Sequence, residues 1–163
     1  MKLTVVRGDI THQDVEAIVT AANTGLRGGG GVDGAVHAAA GPELLQASLA
    51  LAPCTAGAAV ITPAFDLAPV RWVIHAVGPV YRGPQDAATL ASAYTQSLAR
   101  ADEVGASSLA FPSISTGVYG YPPAEASAVS VQALLQASTA VESVLLVAFT
   151  ADAARAWEQA LRG

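Results

Sequence analysis

The stretch from Asn23 to Glu43 reads NTGLRGGGGVDGAVHAAAGPE and places four consecutive glycines in front of a segment with helical character. Glycine packs no side chain and loses the most conformational entropy on folding, so such a run needs a reason. A flexible linker is the plainer interpretation, but linkers rarely separate a buried strand from a helix in a compact domain. We predict that the glycines let main-chain N–H groups face a ligand. The helix predicted over Asp33–Ala40 adds its positive dipole end.

Asp33 and His37 are the titratable residues of that predicted helix. Residues four apart share one face of a helix about one turn apart, so the two side chains are expected to be neighbours. Asp33 could be an ordinary first-turn charge, and His37 a packed core residue. Alternatively, the pair is catalytic. The spacing alone leaves both interpretations open.

The glycine run also matches a nucleotide-binding pattern, G-x-G-x-x-G, over residues 29–34. The context argues against a Rossmann site, because NTGLRG separates the first glycine from the preceding strand. No acidic residue closes a second strand about 20 residues later, and Asp33 would repel a pyrophosphate. A P-loop requires the letters G-K-[ST], which are absent.

A second segment rich in small and hydroxylated residues is AFPSISTGVYGYPP, residues 110–123. A buried strand runs directly into it, and successive backbone N–H groups in such turns form anion-binding concavities. An ordinary crossover loop would not explain its density of Ser, Thr and Gly. Two donor-rich loops without a lysine indicate a diphosphate held almost wholly by main-chain amides.

Composition limits the class of protein. The 163 residues suit one domain, and 52% hydrophobic residues suffice for a substantial core. The net charge is -5 and the eight Lys and Arg residues form no cluster, which disfavours binding to a nucleic acid polymer. Cys54 is the only cysteine, so an internal disulfide and a Cys-based zinc site are excluded. No apolar run resembles a signal peptide or a membrane span, so we expect a cytoplasmic protein.

Strand-like and helix-like segments alternate along the chain, which predicts a layered α/β domain. The predicted strands are Leu3–Val6, Ala17–Thr20, Ala59–Thr62, Trp72–Ala76, Ser108–Phe111 and Val144–Phe149. The predicted helices are Asp33–Ala40, Pro42–Leu51, Ala87–Val104, Pro123–Ala137 and a last one capped by Asp152 that runs through Trp157 to Leu161. Ligands of such sheets bind beyond the carboxyl ends of the strands.

Four collinear segments resemble the MacroD-type macrodomains, an ADP-ribose-binding family that includes mono-ADP-ribosyl-protein hydrolases. They read RGDIT, AIVTAANTGLRGGGGVDGAVHAAAGPEL, VIHAVGPVY and FPSISTGVYGYP, and together they extend over nearly the whole chain. The resemblance implies a single macrodomain over residues 1–163, folded as a three-layer α/β/α sandwich around a mixed central sheet. ADP-ribose would lie in a cleft at the crest of the sheet. The implied chemistry requires no cofactor and no metal.

The resemblance also implies a role for individual residues. Asp9 would accept a hydrogen bond from the adenine amino group, and the Ile10 amide would contact the ring. Gly31 and Val32 would cover the diphosphate on one side; on the other side it would be covered by Ser115, Thr116, Gly117, Val118 and Tyr119. Asn23 would hydrogen-bond the distal ribose, Asp33 would be the catalytic carboxylate, and His37 would support it.

The chain departs from the family pattern in two places. The usual NAAN reads TAAN, so Thr20 replaces the first asparagine, and we expect altered support of the loop rather than lost activity. Family members often place an aromatic ring over the adenine shortly after the last strand, where this chain has Ala153 and Ala154. Phe149 or Trp157 could substitute for that ring.

The expected function is hydrolysis of the ester between ADP-ribose and an acidic side chain of a protein, together with cleavage of O-acetyl-ADP-ribose. The expected partners are ADP-ribose and mono-ADP-ribosylated proteins, without a nucleic acid polymer or a membrane. The first alternative is a non-catalytic reader of ADP-ribosylated proteins, which needs the binding loops but not Asp33 and His37. The second is a binder of RNA or of poly(ADP-ribose) ends. Whether Asp33 or the ligand's own diphosphate activates the water stays open.

Overall fold

The computed structural model describes all of residues 1–163, and it contains six strands and five α-helices. The strands are β1 (Lys2–Arg7), β2 (Ala17–Ala21), β3 (Ala59–Pro63), β4 (Trp72–Ala76), β5 (Ser108–Phe111) and β6 (Ser143–Ala148). The helices are α1 (Gly31–Ala40), α2 (Pro42–Leu49), α3 (Ala87–Glu103), α4 (Pro123–Gln136) and α5 (Ala151–Arg162). Every predicted strand and helix is present.

The strands form one mixed sheet in the order β1-β6-β5-β2-β4-β3, in which β3 is antiparallel to β4 and all other pairs are parallel. Side chains on one face of the sheet, including Ile18 and Val73, pack against α1 and α2. Side chains on the other face, including Val19 and Ile74, pack against α3, α4 and α5. The predicted three-layer α/β/α sandwich is therefore confirmed, and both faces of the sheet are covered.

Two helix starts differ from the prediction. Helix α1 begins at Gly31 rather than Asp33, because the low helix propensity of glycine concealed its first residues in the sequence. The cap of α5 is Thr150, whose hydroxyl accepts a hydrogen bond from the Ala153 amide at 3.1 Å. Asp152 lies inside the first turn and pairs with Arg155, so the prediction that Asp152 caps this helix is wrong.

The parallel strands β1, β2, β5 and β6 bring the loops that follow them to one edge of the sheet. These loops include the glycine run after β2 and the serine-rich segment after β5. Ligand sites of open α/β sheets lie at this edge. None of the helices combines the length and the apolar character that crossing a membrane requires.

Candidate active site

A cleft at this edge consists of two adjoining cavities that share Gly31 and Val32. The larger has a volume of about 400 Å³ and is lined by Ala21, Ala22, Asn23, Gly28, Gly29, Gly30, Gly31, Val32, Asp33, Gly78, Ser113, Ile114, Ser115, Gly117, Val118 and Tyr119. The smaller has about 310 Å³ and is lined by Gly8, Asp9, Ile10, Gly31, Val32, Ala35, Pro112, Val147 and Phe149. The glycine run and the serine-rich segment thus both line the larger cavity.

Unpaired backbone donors are concentrated along this cleft. The N–H groups of residues 28–33 and of residues 115–119 donate no hydrogen bond within the protein. The N–H groups at the start of α1 lack partners because the first N–H groups of any helix have no carbonyl acceptor within the helix. The dipole of α1 also makes its N-terminus positive. No Lys or Arg lines either cavity. The cleft is therefore suited to an anion that is bound by main-chain amides.

Both loops contain residues with positive φ angles. Gly28 and Gly31 have φ angles of 75° and 60°, which glycine adopts at no steric cost. Ser115 has a φ of 70°, an uncommon conformation for a residue with a Cβ atom, and its hydroxyl donates to the Pro79 carbonyl at 2.8 Å. Strained residues of this kind cluster at functional sites.

Asn23 organises the glycine run. Its Nδ2 donates to the Gly28 carbonyl at 2.7 Å, and its Oδ1 accepts from the Arg27 amide at 3.1 Å. The side chain also lines the larger cavity. One N–H of the side-chain amide is thus used to hold the loop, and the other is available to a ligand.

Asp33 presents a buried carboxylate at the wall of the larger cavity, with 5% of the residue exposed. Its Oδ1 accepts a hydrogen bond from the Thr20 hydroxyl at 2.9 Å, and His37 Nε2 lies 3.6 Å from the same oxygen. Burial raises the pKa of Asp33 above its ordinary value, while the Thr20 hydrogen bond and His37 oppose this rise. A carboxylate with a raised pKa beside an imidazole is the arrangement of a general base.

The smaller cavity is lined by the Asp9 carboxylate and by the exposed aromatic ring of Phe149. Asp9 Oδ1 accepts hydrogen bonds from the Thr11 hydroxyl at 2.7 Å and from the Thr11 amide at 2.9 Å. The bond from the Thr11 hydroxyl has the larger effect and the bond from the Thr11 amide a smaller one, and both lower the pKa of Asp9. The carboxylate therefore stays ionised and can accept further hydrogen bonds. Phe149 lies on the same cavity wall with 78% of its surface exposed.

Trp157 is not available to this cavity. It is fully buried, at 0% exposure, and its indole N–H donates to the Ser130 hydroxyl at 3.1 Å on the opposite side of the sheet. The expectation that Trp157 could supply the missing ring is therefore wrong. Neither Ala153 nor Ala154 lines the cleft, which leaves Phe149 as the available aromatic side chain.

The structure brings most of the predicted site residues to the cleft. Thr116 is not on its wall, and the Thr116 hydroxyl donates to the Ser113 carbonyl at 3.1 Å instead. His37 lies behind Asp33 rather than on the wall. The assignment of the lining residues to individual parts of a ligand stays a prediction.

Sequence reasoning missed several lining residues, among them Gly78 and Ile114. A Cβ atom on Gly78 would overlap the side chains of Ile114 and Ser115, so this glycine lets the serine-rich segment close against the end of β4. The sequence feature that could have identified Gly78 is the glycine that follows the buried strand in VIHAVGPVY.

Comparison with known proteins places the chain in a family. The Macro domain family profile matches residues 19–130, and the chain belongs to this family. A macro domain-containing protein of Ralstonia nicotianae is 47% identical over 161 residues, with 98% of this chain and 94% of the relative covered. An O-acetyl-ADP-ribose deacetylase of Salmonella gallinarum is 47% identical over 169 residues, with 98% and 94% covered.

The fold has solved counterparts as well. A macrodomain variant of Oceanobacillus iheyensis, solved with ADPR, is 40% identical and has a TM-score of 0.92 against this chain. The alignment covers 97% of this chain and 90% of that one. The predicted macrodomain membership and sandwich fold are thus confirmed by sequence and by structure.

Proposed function

We propose that this macrodomain binds ADP-ribose and hydrolyses the ester that joins it to an acidic side chain of a protein, and that it also deacetylates O-acetyl-ADP-ribose. One observation carries the binding part of the proposal. Two runs of unpaired backbone N–H groups, residues 28–33 and 115–119, border one cleft that has no cationic side chain. Hydrogen bonds to a charged group contribute about 1.5–3 kcal/mol each, so four of them contribute about 6–12 kcal/mol before the cost of association is subtracted.

The cleft divides naturally between the parts of such a ligand. The adenine would lie in the smaller cavity, against Phe149 and within reach of the Asp9 carboxylate. The diphosphate would cross at Gly31 and Val32, which border both cavities. The distal ribose would then enter the larger cavity, where Asn23 and Asp33 lie. The relative solved with ADPR and the relative named as an O-acetyl-ADP-ribose deacetylase support ADP-ribose and its acetyl ester as the ligands.

The proposed reaction is an ordinary hydrolysis. A water oxygen forms a bond to C1″ of the distal ribose, the bond between C1″ and the ester oxygen breaks, and the acceptor side chain leaves as a carboxylate. The proton of the attacking water passes to Asp33, whose raised pKa makes it a better proton acceptor than an ordinary aspartate. His37 supports Asp33 from behind, and the fixed loops hold C1″ and the water in one arrangement.

Asp33 supports a hydrolase rather than a reader module. Burying a carboxylate costs stability, and binding ADP-ribose through backbone amides does not need one. A general base accelerates a reaction about 10²–10⁴-fold, and this gain would explain why a buried carboxylate is present at Asp33. With O-acetyl-ADP-ribose the same carboxylate would accept a proton from water as the water oxygen attacks the acetyl carbon; the bond from that carbon to the ribose oxygen breaks, and acetate and the ribose hydroxyl are the products.

The test is incubation with an acceptor protein that carries mono-ADP-ribose on glutamate. We expect the wild-type protein to release ADP-ribose, and we expect Asp33→Ala to release none while binding ADP-ribose within a few-fold of wild type by calorimetry. Binding without release by the wild-type protein would identify a reader. Full activity of Asp33→Ala would remove Asp33 from the mechanism.

A further inference from the structure

A group of buried polar side chains extends from Asp33 into the sheet. Thr20, His75 and Thr62 are each at most 3% exposed, in a protein whose interior is otherwise largely apolar. The Thr62 hydroxyl and His75 Nε2 are 2.9 Å apart. Buried polar groups cost free energy unless they are hydrogen-bonded, and a satisfied network of them fixes the orientation of its members.

The sheet register places these side chains on one face. Thr20 of β2 is the partner of His75 in β4, and Thr62 of β3 is the partner of Val73 in β4. Partners in a sheet, and residues two apart along a strand, point to the same side. Thr20, His75 and Thr62 therefore all lie on the face of the sheet that is covered by α2 and by α1, the helix that carries Asp33 and His37.

His37 links the two ends of this group. Its ring centroid lies 6.2 Å from that of His75, with an angle of 56° between the ring planes. Its Nε2 lies 3.6 Å from Asp33 Oδ1. A Cβ atom on Gly28 would come within 3.5 Å of His37 Cδ2, so the glycine run also borders this ring. Any rotation of the His37 ring would change its distance to Asp33.

His75 is suited to a supporting role because it carries no charge. Burial, and to a smaller extent His37, lowers the pKa of His75 to about 4. A neutral ring next to His37 adds no positive charge that would compete for the Asp33 carboxylate. The Thr62 hydroxyl fixes the orientation of the His75 ring.

We propose that His75, oriented by Thr62, is a positioning residue that holds the His37 ring against the Asp33 carboxylate. His75 does not line the cleft and so does not touch substrate. The proposal deepens the proposed hydrolase function and rests on it for its kinetic test. It assigns a function to one residue of β4 and one residue of β3.

The experiment compares Thr62→Val, which keeps the shape of the side chain but removes its hydroxyl, with Thr62→Ser, which keeps the hydroxyl. His75→Phe removes the ring nitrogens. Ser97→Ala is the control for a lost buried hydroxyl, because Ser97 lies in α3 on the other face of the sheet and bonds only the Ala93 carbonyl. Release of ADP-ribose gives kcat and KM, calorimetry gives the Kd for ADP-ribose, and nitrogen NMR of the imidazoles gives the tautomers of His37.

We expect Thr62→Val and His75→Phe to lower kcat about tenfold or more, as small misplacements of a catalytic group do. KM and Kd stay within twofold, and Thr62→Ser and Ser97→Ala retain the wild-type kcat. In the NMR spectra of the wild-type protein, Thr62→Ser and Ser97→Ala, we expect His37 to keep one tautomer, with Nε2–H toward Asp33. In the spectra of Thr62→Val and His75→Phe, we expect a mixture of the two tautomers. A wild-type kcat in folded Thr62→Val and His75→Phe would overturn the proposal.

The NMR measurement separates this proposal from the proposed function. If the wild-type protein releases no ADP-ribose, the hydrolase function fails, and the tautomers still decide whether His75 positions His37. An unchanged His37 tautomer in both Thr62→Val and His75→Phe would overturn the positioning role in that case.

Discussion

Thr20 Oγ1 donates a hydrogen bond of 2.9 Å to Asp33 Oδ1 and thereby joins the end of β2 to the first turn of α1. Thr20 is one of the two departures from the family pattern, and its hydroxyl reaches the carboxylate that we propose as the base. The departure therefore bears on Asp33 itself as well as on the loop.

Thr20→Val should shift the pH dependence of activity. The Thr20 hydrogen bond lowers the pKa of Asp33 and so opposes the effect of burial. Without this bond the pKa rises further, and because the base works in its ionised form, the acidic limb of the kcat profile moves to higher pH. Thr20→Ser keeps the hydroxyl and should keep the wild-type profile. A profile of Thr20→Val that coincides with wild type would contradict the assignment.

Asp33→Asn should stabilise the fold at neutral pH. Because burial raises the pKa of Asp33, folding favours the protonated form, and the ionised form costs stability as the pH rises above the ordinary value of 3.8. Asparagine removes the charge and can still accept from Thr20. We expect a gain of about 0.5–2 kcal/mol near neutral pH, by thermal or urea denaturation, with activity lost.

The gain should disappear when the pH falls below 3.8, because Asp33 is then protonated in the unfolded chain as well as in the folded protein. Asp152→Asn, at an exposed position in α5, is the control and should show no comparable gain. A loss of stability in Asp33→Asn at neutral pH would show that burial of this carboxylate is not a cost.

Phe149→Ala should weaken ADP-ribose binding. Stacking of a base on an aromatic ring contributes about 1–3 kcal/mol, so we expect a Kd raised about tenfold by calorimetry, with kcat close to wild type. Leu135→Ala is the control, because Leu135 is an exposed apolar residue of α4 that lines neither cavity. An unchanged Kd in Phe149→Ala would place the adenine elsewhere.

Gly34→Ala should displace the glycine run. A Cβ atom at Gly34 would overlap the Gly29 carbonyl oxygen, which is backbone and can move only with the loop. We expect weaker ADP-ribose binding, by about tenfold or more, together with a lower Tm. Gly30→Ala is the control for stability, because a Cβ there meets no atom within 4 Å, and its Tm should match wild type. Equal Tm values for both variants would contradict the close approach.

The sequence predicted the fold and the two loops well, because their signals are local. Buried runs such as the one in β6 mark central strands, and the glycine run marks a loop whose backbone lines the larger cavity. The spacing of Asp33 and His37 likewise predicted their proximity, which the distance of 3.6 Å now shows.

The remaining features depend on contacts between distant segments. The choice between Phe149 and Trp157 was decided by burial, since both are aromatic and both follow β6. The pair of Thr62 and His75 depends on the register of β3 against β4, which no local pattern specifies. Thr116 was predicted to contact the diphosphate together with its neighbours in sequence. The turn instead places its hydroxyl where it donates to the Ser113 carbonyl.

The most direct test is a crystal structure of the protein soaked with ADP-ribose. We predict that the diphosphate accepts hydrogen bonds from backbone N–H groups of both residues 28–33 and residues 115–119. The distal ribose should lie in the larger cavity, with C1″ close enough to Asp33 for one water molecule to bridge them. A diphosphate held by only one of the two loops, or a distal ribose directed away from Asp33, would contradict the account.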